Sequence, residues 1–246
     1  MKITIRRPVE SLSAFELKPE LNQNIWDEDV ELRPEVQVRL DEIANDFIEK
    51  LDLKGVEVKD VIITGSLANY NWSRYSDIDV HILIDFEEVD KNVDLVKRFF
   101  DALRSNWNKS HNIYVKGHEV ELYIQDEEEP HTSTGVYSTI RNKWLVKPKP
   151  VDPYIDKRNV SKKARSLMRE IVKIETLFGR GNFDAALADG QKLKLKLQKM
   201  RKAGLDARGI FSVENLAFKV LRRSGHMKRL YDTMREAYDM SMSLAD

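Results

Sequence analysis

From Pro34 onward the apolar residues Val36, Leu40, Ile43, Phe47 and Leu51 recur every three or four positions. That period lines one face of a helix, and proline suits a helix's first turn because its N–H would be unpaired there anyway. The rhythm breaks at Val61-Ile-Ile-Thr64, a short apolar run that predicts a strand, and Asp77 to Ile84 predicts a second. Val96, Phe99, Phe100 and Leu103 restore helical spacing over Val93 to Trp107. Ile113 to Val115 and Glu119 to Gln125 then predict two strands of a hairpin turning at Lys116-Gly117. Alternation along the second places Glu119, Glu121 and Tyr123 on one face and Val120, Leu122 and Ile124 on the other.

The stretch Lys147-Pro-Lys-Pro-Val-Asp-Pro153 cannot form regular helix and reads as a stiff linker. Beyond it helical spacing runs over roughly 160–178, 184–202, 213–223 and 226–244, with Gly179, Gly181, Gly204 and Gly225 expected as punctuation. Leu193, Leu197 and Met200 face inward in this reading, with Lys192, Lys196 and Lys199 outward. Before Pro34 there is no periodicity, so residues 1–33 read as an arm that packs Trp26 against the first domain. The expected organisation is thus an arm (1–33), an α/β (α+β) domain with a small mixed sheet flanked by helices (34–150), and a carboxyl-terminal helical bundle (151–246).

Composition narrows the class. Of 246 residues, 41% are hydrophobic and 33% charged, which describes a soluble globular protein. No apolar run reaches the roughly 20 residues of a membrane span. The amino terminus lacks an apolar signal core, and there is no cysteine. Both favour the cytoplasm, and the second excludes disulfides and thiolate metal sites. The five histidines lack zinc-site spacing. Net charge is zero, yet Lys157 to Arg229 holds 20 basic side chains against six acidic ones, leaving the remainder correspondingly acidic. A basic helical region of this kind suits an anionic partner such as RNA, although it can equally attract the acidic half or coat helices for solubility.

The chemistry concentrates in one run. Gly65-Ser66 follows the first strand, and Asp77-Ile78-Asp79 opens the second after a spacer of ten residues. Alternation points Asp77 and Asp79 to the same face, roughly 7 Å apart along a strand. Like charges so close repel unless a cation lies between them, and hard oxygen donors favour magnesium or manganese. A Gly-Ser turn brings backbone N–H groups and a hydroxyl to a phosphate. Thr64-Gly65-Ser66 and Ser76-Asp77-Ile78-Asp79-Val80 together resemble the signature of the DNA polymerase β-type nucleotidyltransferases. The wording Leu-Asn…Ile-Trp-Asp before the first helix is similar to phage members.

That resemblance implies a nucleotidyltransferase-type fold and transfer of a nucleoside monophosphate from an NTP, with ATP favoured. It also implies two divalent ions, Mg2+ or Mn2+, held by Asp77, Asp79 and a third carboxylate. Glu121 in Val120-Glu121-Leu122 fits that third place, with Glu119 as the alternative; many relatives carry Asp there, so the longer Glu is a departure. Ser66 then holds the terminal phosphates, and Arg74 in the turn before the aspartates is within reach of a phosphate oxygen. Tyr137 or Trp144 can stack on a base or belong to the core, and Arg141 or Lys143 can neutralise the triphosphate. His81, two residues beyond Asp79, reads as a packed, hydrogen-bonded histidine. RNA, a second nucleotide, a small molecule or a protein can each be the acceptor, and a non-catalytic nucleotide-binding module is the other class.

Overall fold

The structure is a computed structural model that describes residues 17–51, 53, 55–131, 133–150 and 154–244. The first half of the expected arm, 1–16, and linker residues 151–153 lie outside the described residues. The chain divides into two compact units, one bearing the sheet over 16–151 and one containing 152–246.

In the first unit, helix α1 spans Pro34–Leu51 and buries Val36, Leu40, Ile43, Ala44 and Phe47, the stripe that its periodicity predicts. Strands β1 (Val58–Thr64) and β2 (Ile78–Ile84) pair antiparallel, with Thr64 opposite Asp79 and Ile62 opposite His81. A short helix α2 (Phe86–Val89) begins at Asp85, whose carboxylate accepts from the Glu87 N–H. Helix α3 (Val93–Ser110) buries Val96, Phe100 and Trp107. Phe99, expected inward, is 48% exposed because it lies one position off that stripe.

Strands β3 (Tyr114–Val115) and β4 (His118–Asp126) form the expected hairpin, with Lys116 and Gly117 both at positive φ (51° and 84°). A two-residue loop of that handedness matches the twist of its flanking strands. Strand β4 lies parallel to β2, setting Asp79 beside Glu121 and His81 beside Tyr123. Strands β5 (Val136–Ser138) and β6 (Lys143–Val146) complete a mixed, open sheet of order β3-β4-β2-β1-β5-β6. Beyond β3 the outer edge of β4 is covered by Asn108 of α3. Its side chain accepts from the Leu122 N–H at 3.1 Å and donates to the Leu122 carbonyl at 3.0 Å. An exposed row of backbone groups is thereby capped by an amide that mimics a strand.

The sheet's two faces differ. Val61, Ile63, Ile78, Val80, Ile82, Ile84, Val120 and Leu122 join α1 and α3 in the main core. The other face holds a small cluster of Ile62, Leu83 and Val136 beside a polar row. Trp26 is 1% exposed; its ring packs near Tyr137 and Trp144, and its Nε1 donates to the Leu67 carbonyl at 2.8 Å.

The second unit is helical: α4 (Lys157–Gly179), α5 (Phe183–Arg208), α6 (Val213–Arg223) and α7 (His226–Met242), with a 3-10 turn at Gly209–Phe211. Leu193 and Leu197 are buried as expected. Gly204 does not end a helix. It sits inside α5, where a Cβ would lie 2.5 Å from Glu214 Cβ, so the glycine permits close approach to α6. The helix stops at Gly209, which has φ 66°. No helix among the described residues is long and apolar enough to cross a membrane.

Replacing Trp26 by alanine removes a buried indole and orphans the Leu67 carbonyl. We expect Trp26→Ala to lower stability by about 3–5 kcal/mol in a urea melt. A loss below about 1 kcal/mol would show that the arm is not part of this core.

Candidate active site

The Gly65-Ser66 bend leaves β1 at the point where Thr64 faces Asp79. Gly65 has φ 75°, a backbone conformation that glycine adopts without penalty. A Cβ placed on it would lie 1.8 Å from Asp79 Oδ2. Two independent constraints thus require glycine here, and the second means that the aspartate carboxylate rests against the bend's own backbone.

The bend is held from several sides. Asn69 Nδ2 donates to the Gly65 carbonyl at 2.7 Å. Ser66 Oγ donates to Ser76 Oγ at 2.7 Å, and Ser76 Oγ also accepts from the Ser73 N–H at 3.0 Å. Residues 66 and 76 flank the spacer, so one hydroxyl pair closes that loop at its base. His118 fixes the far end. Its Nδ1 lies 2.6 Å from the Ser76 carbonyl, which can only accept, so Nδ1 carries the proton. Nε2 is then the acceptor for Asn22 Nδ2 at 3.0 Å, and Asn22 Oδ1 is committed to the Asn24 N–H. The arm, the start of β4 and the residue before Asp77 are thereby tied through one imidazole.

Asp77 precedes β2 by one residue, and both aspartates are half-buried, alternating with buried Ile78 and Val80. Glu121 lies beside Asp79 on the adjacent strand, on the same open face. Glu121 Oε2 accepts from the Tyr123 hydroxyl at 2.6 Å. Burial and the nearby carboxylates of Asp79 and Glu121 push the phenol far above its ordinary range, so it remains a donor at any physiological pH. The His81 ring stacks on Tyr123 with centroids 4.6 Å apart, and the Arg104 guanidinium lies 4.9 Å from the same ring. His81 Nδ1 is 2.7 Å from Gln125 Oε1, and burial lowers its pKa. His81 is packed and bonded, as read from the sequence.

The nucleotidyltransferase domain family matches residues 40–145. This segment is a nucleotidyltransferase domain. No curated protein matches the chain. The matched stretch of the nucleotidyltransferase domain runs from the middle of α1 into β6 and contains the bend, both aspartates and Glu121. Among the described residues, no three Asp, Glu or His side chains stand in an arrangement that could hold a metal ion.

The remaining sequence candidates fall elsewhere in the nucleotidyltransferase domain. Arg74 is exposed on the spacer loop and folds over Tyr75, its guanidinium 4.7 Å from that ring. Tyr137 requires correction as a base-stacking residue: it is fully buried between Trp26 and Trp144, with its hydroxyl 2.8 Å from Asn142 Oδ1. Trp144 donates to the Val30 carbonyl and belongs to the same cluster. Lys143 is exposed on β6, opposite Ser138. With three strand spacings of about 4.8 Å between β6 and β2, it is not brought to the carboxylates. Arg141 pairs with the buried Asp60 at 3.3 Å, near the opposite end of β1 from the bend. Glu119 lies two residues before Glu121 on the same face of β4, with Tyr114 of β3 as its antiparallel partner.

Tyr123, Arg104, His118 and Ser76 complete this site without being singled out by the sequence. Tyr123 is legible as sharing Glu121's face. Arg104 is not, because it reaches the sheet from α3 and only tertiary packing brings it there.

Two measurements test the contact between Gly65 and Asp79. Gly65→Ala is expected to cost about 1–3 kcal/mol of stability from the unfavourable φ and the clash. In Gly65→Ala/Asp79→Ala the combined loss should fall short of the sum, since removing the carboxylate vacates the space. Strict additivity in the melts would contradict direct contact.

Proposed function

We propose that the domain transfers a nucleoside monophosphate from an NTP, ATP being favoured, to an acceptor hydroxyl with release of pyrophosphate. The observation that carries this reading is the placement of Asp79 and Glu121 side by side on one sheet face, with Asp79 packed against the Gly65-Ser66 bend.

The donor chemistry fits a hard divalent cation, with carboxylate oxygens and no thiolate, and the three carboxylates would have to draw together around it. Asp77, Asp79 and Glu121 would hold Mg2+ or Mn2+, two ions in the reading drawn from the sequence. Bound there, the metal supplies positive charge that lowers the acceptor hydroxyl's pKa and offsets the charge of the triphosphate. The chain's own contribution is placement. The Gly-Ser bend offers backbone N–H groups and the Ser66 hydroxyl to the phosphates, and the hydroxyl can exchange its bond to Ser76 for one to a phosphate oxygen. The braced spacer loop keeps Asp77 in register with that bend, so orientation is established before substrate arrives.

RNA is the acceptor class favoured for this activity. Of the six acids within Lys157 to Arg229, Glu170, Glu175, Asp189 and Glu214 already pair with Lys196, Arg229, Lys192 and Lys163. The internal acids are thus largely engaged, leaving a cationic surplus that favours a polyanion.

Asp77→Asn and Asp79→Asn should each fold yet lose magnesium-dependent pyrophosphate release by about a thousandfold, or ~4 kcal/mol of barrier. Near-native rates in either variant would refute the assignment of these carboxylates. RNA binding should weaken steeply between low and moderate salt, following a linear log–log plot. A flat salt dependence, with label passing instead to a nucleotide, small molecule or protein, would identify a different acceptor.

A further inference from the structure

Resting on the nucleotidyltransferase reading above, we propose that Tyr123 is a positioning residue: its hydroxyl fixes the Glu121 carboxylate beside Asp79, making the longer glutamate serve where an aspartate would otherwise stand. The juxtaposition is specific. The two residues are separated by one position on β4, so alternation returns both to the open face, and the phenol reaches back to Glu121 Oε2 at 2.6 Å.

A glutamate has one more rotatable bond than an aspartate. An unrestrained carboxylate on that arm samples several positions, and ordering it when a ligand binds costs part of the binding energy. The hydroxyl removes that cost by holding one oxygen, which leaves the other to face a ligand. Hydrogen bonds to ligating carboxylates commonly affect affinity or activity by about 10–100-fold.

Tyr123 is itself held more firmly than a surface tyrosine. His81 stacks on its ring with an interplanar angle of 16°, and His81 is in turn bonded to Gln125. Arg104 approaches the same ring from α3, where its guanidinium also pairs with Asp101 at 3.3 Å. The ring therefore cannot swing away from Glu121 without disturbing both neighbours.

The test uses the full chain and Mn2+ alone, followed by electron paramagnetic resonance. Tyr123→Phe keeps the ring and its stacking but deletes the hydroxyl, and it should weaken Mn2+ binding about tenfold or more while unfolding at the wild-type temperature. In turnover it should lower kcat and raise the metal requirement, leaving the nucleotide KM unchanged. Glu121→Asp shortens the arm beyond the hydroxyl's reach, so adding Tyr123→Phe to Glu121→Asp should change Mn2+ affinity by less than about twofold, a departure from additivity that reports the coupling of the two groups. Equal losses from Tyr123→Phe in both backgrounds, or no loss in the wild-type background, would overturn the inference. If Asp79→Asn and Glu121→Gln abolish Mn2+ uptake while Tyr123→Phe does not alter it, the site reading stands and only this inference fails. A wild-type chain that takes up no Mn2+ would overturn both.

Discussion

Asp79 and the Gly65 backbone occupy space that no side chain at position 65 could share, with Oδ2 sitting 1.8 Å from where a Cβ would be. This contact couples the two halves of the sequence motif in a way that neither half reveals alone. It sets the carboxylate against a turn that begins just past the last strand pair, Thr64 with Asp79. Such close packing persists only where the surroundings hold both parts in place. The surrounding hydrogen bonds do so. The spacer loop is closed at its base by Ser66 and Ser76, and anchored at its end by His118.

That bracing explains why residues before Pro34 matter to a site they do not enter. Trp26 reaches the carbonyl of Leu67, Trp72 the carbonyl of Glu20, and the Lys18 N–H the carbonyl of Tyr70. Asn22 completes the imidazole bridge. The arm therefore supplies partners for loop carbonyls that would otherwise depend on solvent. Each such bond contributes only about 1 kcal/mol net, but an unsatisfied buried carbonyl costs more than that. The loop's geometry is thus over-determined, a condition under which a left-handed glycine and a crowded carboxylate can persist.

Most elements are legible in the sequence because their signals are local. The stripe of α1, the alternation of β4 and the Lys116-Gly117 turn follow from period and turn chemistry, and each appears with ends within a few residues. Gly65, Ser66, Asp77 and Asp79 are legible for the same reason: a turn and a strand separated by a fixed spacer. Non-local facts are hidden. Tyr137 and Trp144 look like ligand-stacking aromatics until the arm supplies Trp26 to pack against both. Gly204 looks like a helix terminator until α6 is placed against it. Arg141 resembles a phosphate ligand, but the buried carboxylate of Asp60 claims it. In each case the competing partner comes from a distant part of the chain, so no window of sequence contains both.

The electrostatics of the open face follow from the same arrangement. Asp77, Asp79 and Glu121 belong to one end of the sheet, and the Tyr123 hydroxyl from β4 and Arg104 from α3 are among the groups that approach them. The phenol offers Glu121 a dipole rather than a charge, and the guanidinium that stacks on its ring also pairs with Asp101 of its own helix at 3.3 Å. On the opposite face Ile78, Val80 and Val120 are fixed in the core, so the two strands that carry Asp79 and Glu121 are held in register from beneath. The apolar layer under the sheet thus sets the spacing of the polar row above it.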